Sequence, residues 1–444
     1  MIADSLRYDA VHEAPDVAMP YVSSHATCFT QARSGGCWTL PATASLLTGL
    51  LPHEHGATAQ SRAIRPGAVL LPERLRAEGY RTMQITANPA TTHIFGLDRG
   101  FDEMHRIWTE VPRRHGSVDT ILSLLARPRV RRQLFEGSRD QIAGRLAEDV
   151  FAARAWMQSN AEVQFDRARA ALERHQGREG AFLFVNLMES HFPYHIADTF
   201  EPSQEGLAWW MKEVMALFHL ANQTRLETGR QHIPPEMLDA LRRRQRRAWR
   251  RLAPMIDSFV EELHKREDTL VVFCGDHGDN FGEQGWEYHF ANVNDAGNRV
   301  PLFVLEPGQT EGRSVRVPVS ARDVHGTLLS ALALPRGAAE IDLLSEPEAS
   351  VPVIESFWYD KAGRTQPQFR YNQFSFLTDS HKYVQRQGEW LYSPLRDRGP
   401  EPTYEALEAT VDPIEEAALP SEKRAVLRHK QRDFAAFAAG LAQA

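Results

Sequence analysis

The stretch Thr269–His289 (TLVVFCGDHGDNFGEQGWEYH) constrains the fold of this chain more than any other part of the sequence. Leu270–Phe273 is an apolar run with the length and β-branched content of a buried parallel strand. Asp276 and His277 follow that run, and ligands of open α/β sheets bind beyond the carboxyl ends of the strands. A carboxylate beside an imidazole at this position predicts a divalent metal site. The alternative is a loop in which both side chains bond only to the backbone.

Composition limits the classes of function that this chain can have. At 444 residues it can bury a large core, and a formal net charge of −7 gives no reason to expect nucleic acid or an anionic membrane as a partner. Three cysteines, a small and odd number, argue against a disulfide framework and indicate a reducing compartment, so we expect a cytoplasmic location. We see no apolar run of membrane-spanning length and no signal-peptide pattern. Met1–Ala3 resembles the tail of a strand, so we expect that the natural start could lie upstream.

Helix and strand patterns alternate on both sides of the central stretch. Leu70–Gly79 has the pattern of a helix, and Arg81–Ala87 and Ala181–Leu187 have the pattern of strands. A long helical stretch at Leu241–Glu267 leads into the central stretch, and Val300–Leu305 is a further strand. This alternation predicts an α/β fold with a doubly wound, mostly parallel sheet.

The same patterns divide the chain into two parts. Residues 1–335 form the predicted main α/β domain. Within it, residues 108–180 and 200–240 are polar with a helical pattern, and we interpret them as helical insertions. Residues 336–444 form a predicted smaller C-terminal α+β subdomain, with short antiparallel strands and a closing helix from Ser421.

Three residues outside the central stretch are candidates for the same site. Asp4 follows the strand remnant at the N-terminus, where a carboxylate is either a metal ligand or the N-cap of a helix. Thr39 lies at the mouth of a helix predicted over Ala42–Leu47; its hydroxyl is either a metal-activated nucleophile or a helix cap. His191 follows a predicted strand, and it is either a ligand contact or a core histidine bonded to a carbonyl.

Motifs along the chain occur in the order of one known family. They are ADSLRYD from Ala3, LPATASLLTGLLPHEHG from Leu40, LPERLRAEGYRTMQITAN from Leu71, LDRGFDE from Leu97, HFPY from His191, TLVVFCGDHGDNFGEQG from Thr269, RVPLFV from Arg299 and VSARDVHGTLLSALAL from Val319. With this ordered set the chain resembles the sulfatase-like branch of the alkaline phosphatase superfamily. The resemblance implies a doubly wound α/β hydrolase domain, a smaller C-terminal subdomain and a divalent metal ion at the carboxyl edge of the sheet.

The resemblance also implies roles for individual residues. Three of them match the metal-ligand positions of the family, namely Asp4, Asp276 and His277. Thr39 stands at the position of the nucleophile, which is also a metal ligand. His191 matches a histidine that contacts the sulfate or phosphate group, and His289 matches a catalytic position that often supplies a substrate or second-metal contact. The implied cofactor is one divalent ion (Mn, Zn, Mg or Ca), with a second ion left open.

Thr39 is also the main departure from the family. Sulfatases carry a cysteine, matured to formylglycine, in a C-x-P-S-R context, whereas this chain reads T-L-P-A-T with Thr43 in place of the arginine. Cys37 lies two residues too early to substitute, and Ser5 replaces a common second aspartate. A threonine nucleophile resembles the phosphodiesterases and phosphoethanolamine transferases of the superfamily.

These observations predict a metal-dependent hydrolase that cleaves phosphate mono- or diesters of small molecules through a covalent Thr39 intermediate. A sulfuric ester hydrolase and a phosphotransferase using the same site are the alternatives among enzymes. A catalytically silent ligand-binding protein is the alternative from another class, and the retention of both aspartates, His277 and Thr39 argues against it. The sequence does not specify the leaving group or the oligomeric state.

Overall fold

The computed structural model describes residues 1–13, 19–110, 161–175, 180–192, 194, 233, 235–266, 268–289, 291–357, 371–417 and 419–443. Its strands are β1 Ile2–Ala3, β2 Thr27–Phe29, β3 Ala32–Arg33, β4 Arg81–Thr86, β5 Glu103–Arg106, β6 Ala181–Leu187, β7 Val271–Gly275, β8 Asn280–Phe281, β9 Glu287–Tyr288, β10 Leu302–Leu305, β11 Arg313–Val315, β12 Val319–Ser320, β13 Val353–Ser356, β14 Gln373–Leu377, β15 His381–Arg386, β16 Glu389–Pro394 and β17 Glu405–Ala406. Its helices are α1 Tyr8–His12, α2 Pro20–His25, α3 Thr39–Thr48, α4 Pro52–His55, α5 Leu71–Ala77, α6 Ile107–Glu110, α7 Ala161–Arg174, α8 Pro235–His264, α9 Asp295–Asn298, α10 Val324–Ala331, α11 Pro413–Glu416 and α12 Ser421–Gln443.

Eight strands form one mostly parallel sheet in the order β11-β2-β10-β7-β1-β6-β4-β5. Strands β7, β1, β6, β4 and β5 run parallel to one another, whereas β10 runs antiparallel to both of its neighbours. Although β1 has only two residues, it lies between β6 and β7, because Ala3 pairs with Leu187 on one side and with Gly275 on the other. The carboxyl ends of five adjacent strands therefore share one edge of the sheet.

Neighbouring residues of each strand pack against different layers of helices, because side chains alternate across a sheet. Phe273 of β7 lies in the same hydrophobic cluster as Trp249 of α8, with ring centroids 6.1 Å apart. Cys274, the next residue, lies in a second cluster with Leu40 of α3. Strands covered on both faces have continuous apolar sequences, which explains the run at Leu270–Phe273. The prediction of an α/β fold with a large, mostly parallel sheet is confirmed.

A separate antiparallel sheet follows in the C-terminal part of the chain. It has five strands in the order β13-β14-β15-β16-β17, and it packs against α12. Phe374 of β14 and Phe434 of α12 are in contact there, with ring centroids 5.3 Å apart. The predicted smaller α+β unit is therefore present, while its boundary at residues 335 and 336 stays a prediction.

A buried ion network connects β3 and α9 to this antiparallel sheet. Arg33 Nη2 lies 2.8 Å from Asp295 Oδ2, and Lys382 Nζ lies 2.9 Å from Asp295 Oδ1. Lys382 Nζ also lies 2.8 Å from Glu401 Oε1. The side chains of Arg33 and Lys382 have no solvent exposure. We call these four residues the ion network.

The bounds of some elements differ from the sequence prediction for local reasons. Helix α8 begins at Pro235 rather than at Leu241, in agreement with the preference of proline for the first turn of a helix. Strand β10 begins at Leu302, after Pro301, which has no N–H to donate to a neighbouring strand. The short helix predicted over Ala42–Leu47 begins three residues earlier.

The predicted insertions at 108–180 and 200–240 fall largely outside the described residues. The structure describes only their edges, which contain α6, α7 and the first turns of α8, and the insertions stay a prediction. Within the described parts of the chain, no helix is both long enough and apolar enough to cross a membrane.

Candidate active site

Polar side chains gather at the carboxyl edge of the large sheet. Asp4 follows β1, Asp276 follows β7, and His191 lies four residues beyond β6. Thr39 is supplied by the start of α3, and His289 follows β9. Each of these side chains is buried. The structure thus brings together residues that the sequence spreads over nearly 290 positions.

Three acceptor atoms face one another in this region. The Nε2 atom of His277 lies 3.7 Å from Asp4 Oδ1 and 3.6 Å from Asp276 Oδ2. The His277 Nδ1–H donates to the carbonyl of Gly278 at 3.1 Å, so Nε2 carries the lone pair of the neutral ring. Burial lowers the pKa of His277, which favours that neutral form. We call Asp4, Asp276 and His277 the acceptor cluster.

The acceptor cluster receives no lysine or arginine from the described chain. Asp276 Oδ1 accepts the backbone N–H groups of Ser5 and His277 at 3.0 and 2.8 Å, whereas its buried Oδ2 finds no hydrogen-bond partner among the residues that the structure describes. Burial raises the pKa of Asp276 well above its ordinary value, and the Asp4 carboxylate adds to that shift. Among the described residues, neither carboxylate forms an ion pair with a lysine or an arginine. Two carboxylates and an imidazole with ligand atoms within 4.8 Å of one another fit a divalent ion.

The backbone around the acceptor cluster adopts unusual geometry to place these groups. Ser5 has a φ of 57°, in the left-handed region that residues with a side chain seldom adopt. In this conformation its N–H reaches Asp276 across the strand ends. At Gly278, a Cβ atom would lie 2.2 Å from the carbonyl oxygen of Ala296, so the position requires glycine.

Thr39 contacts the acceptor cluster through its hydroxyl group. Thr39 Oγ1 lies 3.5 Å from Asp4 Oδ2 and 3.4 Å from His277 Nε2. The amide of Asn88 lies 3.4 Å from the same hydroxyl and donates to Asp4 Oδ2 at 2.6 Å. Thr39 is the first residue of α3, and Trp38 occupies the N-cap position. The Thr39 hydroxyl therefore contacts the acceptor cluster and does not act as the helix cap.

The contacts of Asp4 and His191 bear on the roles that the sequence allows for them, which stay predictions. Asp4 does not cap a helix, because Arg7 holds the N-cap position of α1. His191 does bond to a carbonyl, since its Nδ1–H donates to Phe192 at 2.7 Å. Its ring nevertheless faces the site, with its centroid 5.3 Å from that of His289.

His289 is held by a buried carboxylate. Its Nδ1–H donates to Asp279 Oδ1 at 2.6 Å, and the hydroxyl of Tyr194 donates to Asp279 Oδ2 at 2.7 Å. Burial raises the pKa of Asp279, but His289 outweighs this effect, so the pKa is lowered to about 2. The His289 ring centroid lies 4.8 Å from that of His277. These two histidines and Asp279 are close enough to hold a second ion, although both oxygens of Asp279 already accept hydrogen bonds.

Sequence reasoning missed four residues that support the site. Asn88 and Asn186 both donate to Asp4 Oδ2, Asn186 at 3.4 Å, and both lie at the carboxyl ends of parallel strands. Asp279 stands three residues after Asp276. A search for polar side chains at every strand end would have found these three. Tyr194 reaches Asp279 from 85 positions away, and no local pattern indicates that contact.

Comparisons with known proteins place the chain in a family. A family model described as Sulfatase matches residues 1–334. Choline-sulfatase of Rhizobium meliloti (strain 1021) is 32% identical over 130 residues, which cover 26% of this chain and 25% of that protein. Arylsulfatase K of Danio rerio is 25% identical over 130 residues, or 29% of this chain and 24% of that protein. The chain thus matches about a quarter of the length of these curated relatives.

Solved structures resemble the chain over nearly its whole length. The phosphonate monoester hydrolase SpPMH from Silicibacter pomeroyi has a TM-score of 0.61 at 18% identity, covering 97% of this chain and 94% of that one. A protein in the alkaline phosphatase superfamily from Vibrio parahaemolyticus has a TM-score of 0.58 at 16% identity, and the match covers 98% of this chain and 86% of that one. At such identities the likeness shows a shared fold. The family match over three quarters of the sequence shows that the chain belongs to the Sulfatase family.

Proposed function

We propose that this protein is a metal-dependent hydrolase of phosphate mono- or diesters that uses Thr39 as its nucleophile. One observation carries the proposal. The buried Thr39 hydroxyl lies within 3.5 Å of both Asp4 and His277, beside two carboxylates that have no lysine or arginine partner in the described chain. A cation bound there would compensate the buried charge and touch the hydroxyl at once.

The acceptor cluster would hold the ion, with Thr39 as a further oxygen ligand. A divalent ion at this position would lower the pKa of the Thr39 hydroxyl and would act as a Lewis acid toward a non-bridging ester oxygen. Asn88 steadies the arrangement, because its amide donates to Asp4 and lies beside the hydroxyl. The ligand set of carboxylate, imidazole and hydroxyl suits manganese, zinc, magnesium or calcium to different degrees.

The proposed reaction has two displacements at phosphorus. Thr39 Oγ1 attacks in line with the leaving group, so a bond from Oγ1 to phosphorus forms as the ester bond breaks. Asp279 and Tyr194 hold His289 in one orientation, and the imidazolium form of His289 gives its Nε2 proton to the departing oxygen while the proton of the Thr39 hydroxyl passes to solvent. His191 donates to an equatorial oxygen of the transferred group from Nε2, also as an imidazolium, because its Nδ1–H is held by Phe192. Water then attacks phosphorus and returns one proton to His289 Nε2, the bond from Oγ1 to phosphorus breaks, and Thr39 takes a proton back from solvent.

A sulfuric ester hydrolase is the second candidate, since choline-sulfatase and arylsulfatase K are among the relatives. Formylglycine enzymes release sulfate by collapse of a hemiacetal, and threonine cannot form one. Transfer of the phosphoryl group to an acceptor other than water would use the same first step. Side-by-side assays with aryl phosphate, bis-aryl phosphate, an aryl phosphonate monoester and aryl sulfate would separate these activities.

Substitution of Thr39 tests the nucleophile directly. In Thr39→Ala we expect turnover to fall by orders of magnitude with normal metal content, because the covalent route is removed while the acceptor cluster remains. Thr39→Ser should keep part of the activity, since only the methyl group that restricts its rotamer is lost. Thr48→Ala is the matched control, because Thr48 is the buried last residue of the same helix. Steady-state kinetics and metal analysis of the wild type and the three variants measure these effects.

The result that would overturn the proposal is near-normal hydrolysis by metal-loaded Thr39→Ala. That outcome would mean that water attacks the ester directly. Accumulation of phosphate on Thr39 after rapid quenching, detected by mass spectrometry of the wild-type protein, would support the covalent step.

A further inference from the structure

A cavity of about 680 Å³ lies away from the candidate active site, between the large sheet and the antiparallel sheet. Its walls come from α1, α8, the segment after β7 and the strand and loop around β16. None of Asp4, Thr39, Asp276, His277 or His289 lines it. Its volume falls within the range of roughly 300–1,000 Å³ that is usual for small-molecule sites.

Arginine dominates the lining of this cavity. Six arginines line it, namely Arg7, Arg242, Arg246, Arg299, Arg386 and Arg396. Five carboxylates line it as well, but four of them already pair with basic residues: Asp9 and Glu283 with Arg7, and Asp295 and Glu401 with Lys382. The negative charge of the walls is therefore largely compensated within the protein.

Three of the arginines lack a carboxylate at ion-pair distance in the described chain, although Arg246 is near enough to Asp9 to help lower the pKa of that carboxyl group. Among the described residues, Arg246, Arg386 and Arg396 form no ion pair with a carboxylate. Arg386 Nε donates to Gln373 at 3.1 Å, whereas its buried Nη2 has no hydrogen-bond partner within the described parts of the chain. The three side chains come from α8, β15 and the segment after β16, so separate elements direct positive charge to one space.

We propose that this cavity is a second binding site, for a small polyanion that carries several phosphate, sulfate or carboxylate groups. Guanidinium groups pair with such oxyanions through two parallel hydrogen bonds, and the unpartnered Nη2 donor of Arg386 is available for them. A ligand with one charge would leave part of the arginine charge unmatched, so affinity should rise with the number of anionic groups. The site does not depend on the metal or on Thr39.

Calorimetric titration with naphthalene trisulfonate tests the proposal, because this probe is polyanionic and carries no ester bond that the protein could cleave. We expect one bound probe per chain, with the same affinity in metal-loaded protein and in protein that has been stripped of metal by a chelator and then dialysed free of the chelator. Naphthalene monosulfonate should bind more weakly. The variant Arg246→Gln/Arg386→Gln should lose about tenfold or more in affinity, because two charge-assisted contacts are removed.

Arg243→Gln is the matched control. Arg243 lies on the same helix three residues from Arg246, is exposed and does not line the cavity. The Arg243→Gln variant loses one positive charge, as each single substitution in the cavity does. Because the lost charge is outside the cavity, the affinity should stay within about twofold of wild type. Arg396→Gln is a second test with little risk to folding, since Arg396 is exposed, and it should weaken binding by itself.

Several outcomes would overturn the proposal. If a folded Arg246→Gln/Arg386→Gln protein and Arg396→Gln both bind the probe as the wild type does, the cavity is excluded as the binding site. Equal weakening in Arg243→Gln would indicate general attraction to a basic surface. Binding that disappears with the chelator would assign the probe to the acceptor cluster instead.

Discussion

The acceptor cluster and the ion network both enclose carboxylates, yet they differ in how the charge is compensated. Asp295 lies between Arg33 and Lys382, and both basic side chains have no solvent exposure. Asp4 and Asp276 lie on either side of His277, and among the described residues neither pairs with a lysine or an arginine. An unpaired buried charge costs several kcal/mol. The described chain thus supplies lysine and arginine to the ion network and neither to the acceptor cluster, which is the arrangement expected of a site that binds an external ion.

The pKa values of the two regions shift in opposite directions for this reason. Burial raises the pKa of both aspartates, but Arg33 and Lys382 outweigh burial at Asp295, and its pKa lies below the ordinary value. At Asp276 the neighbouring Asp4 adds to the effect of burial, and the pKa rises well above the ordinary value. Burial and neighbouring charge together therefore distinguish a structural carboxylate from a candidate metal ligand.

The largest expected effect comes from breaking the acceptor cluster. In Asp276→Asn we expect the bound ion to be lost and ester turnover to fall by orders of magnitude, because the amide provides a weaker, uncharged ligand. The fold should survive, since the substitution keeps the shape of the side chain and also removes repulsion between two buried carboxylates. Metal analysis and circular dichroism measure the two properties.

Chelation of the wild-type protein is the matching control, because it removes the ion without changing the chain. Both treatments should lower thermal stability relative to the metal-loaded wild type, by an amount that depends on the free ion concentration. Normal metal content and activity in Asp276→Asn would show that the segment after β7 is structural.

Breaking the ion network should lower the stability of the fold without affecting metal binding or catalysis. In Lys382→Met we expect a loss of about 3–5 kcal/mol in the free energy of unfolding, because Glu401 and part of Asp295 remain buried without their cation. Metal content and turnover should stay normal. Lys265→Met is the matched control, since Lys265 is 67% exposed and pairs with Glu261 at the surface, where such pairs contribute little. A change in metal content in Lys382→Met would show that the two regions are not independent.

The sequence predicts the main strands of the fold better than it predicts side-chain contacts between distant parts of the chain. The sequence predicts strand β6 with its observed bounds, because an apolar run covered by helices on both faces is encoded locally. The ends of β4 and β7 are visible in the sequence to within two residues, which locates Asp276 and would have located Asn88. By contrast, Lys382 meets Asp295 across 87 positions, and Tyr194 meets Asp279 across 85. Such pairs depend on how separate elements pack, and the sequence around each residue contains no pattern that identifies its partner.

The smallest expected effect is a pH dependence of the ion network. The pKa of Asp295 is lowered in the folded protein from an ordinary value of 3.8, so its contribution to stability is complete above that value and declines as the pH falls below it. The difference in unfolding free energy between wild type and Asp295→Asn should therefore be constant from about pH 6 to about pH 5 and narrow toward about pH 3. Denaturant titrations at each pH measure it. A difference that stays constant down to pH 3 would mean that Asp295 gains nothing from Arg33 and Lys382, and the contrast with the acceptor cluster would fail.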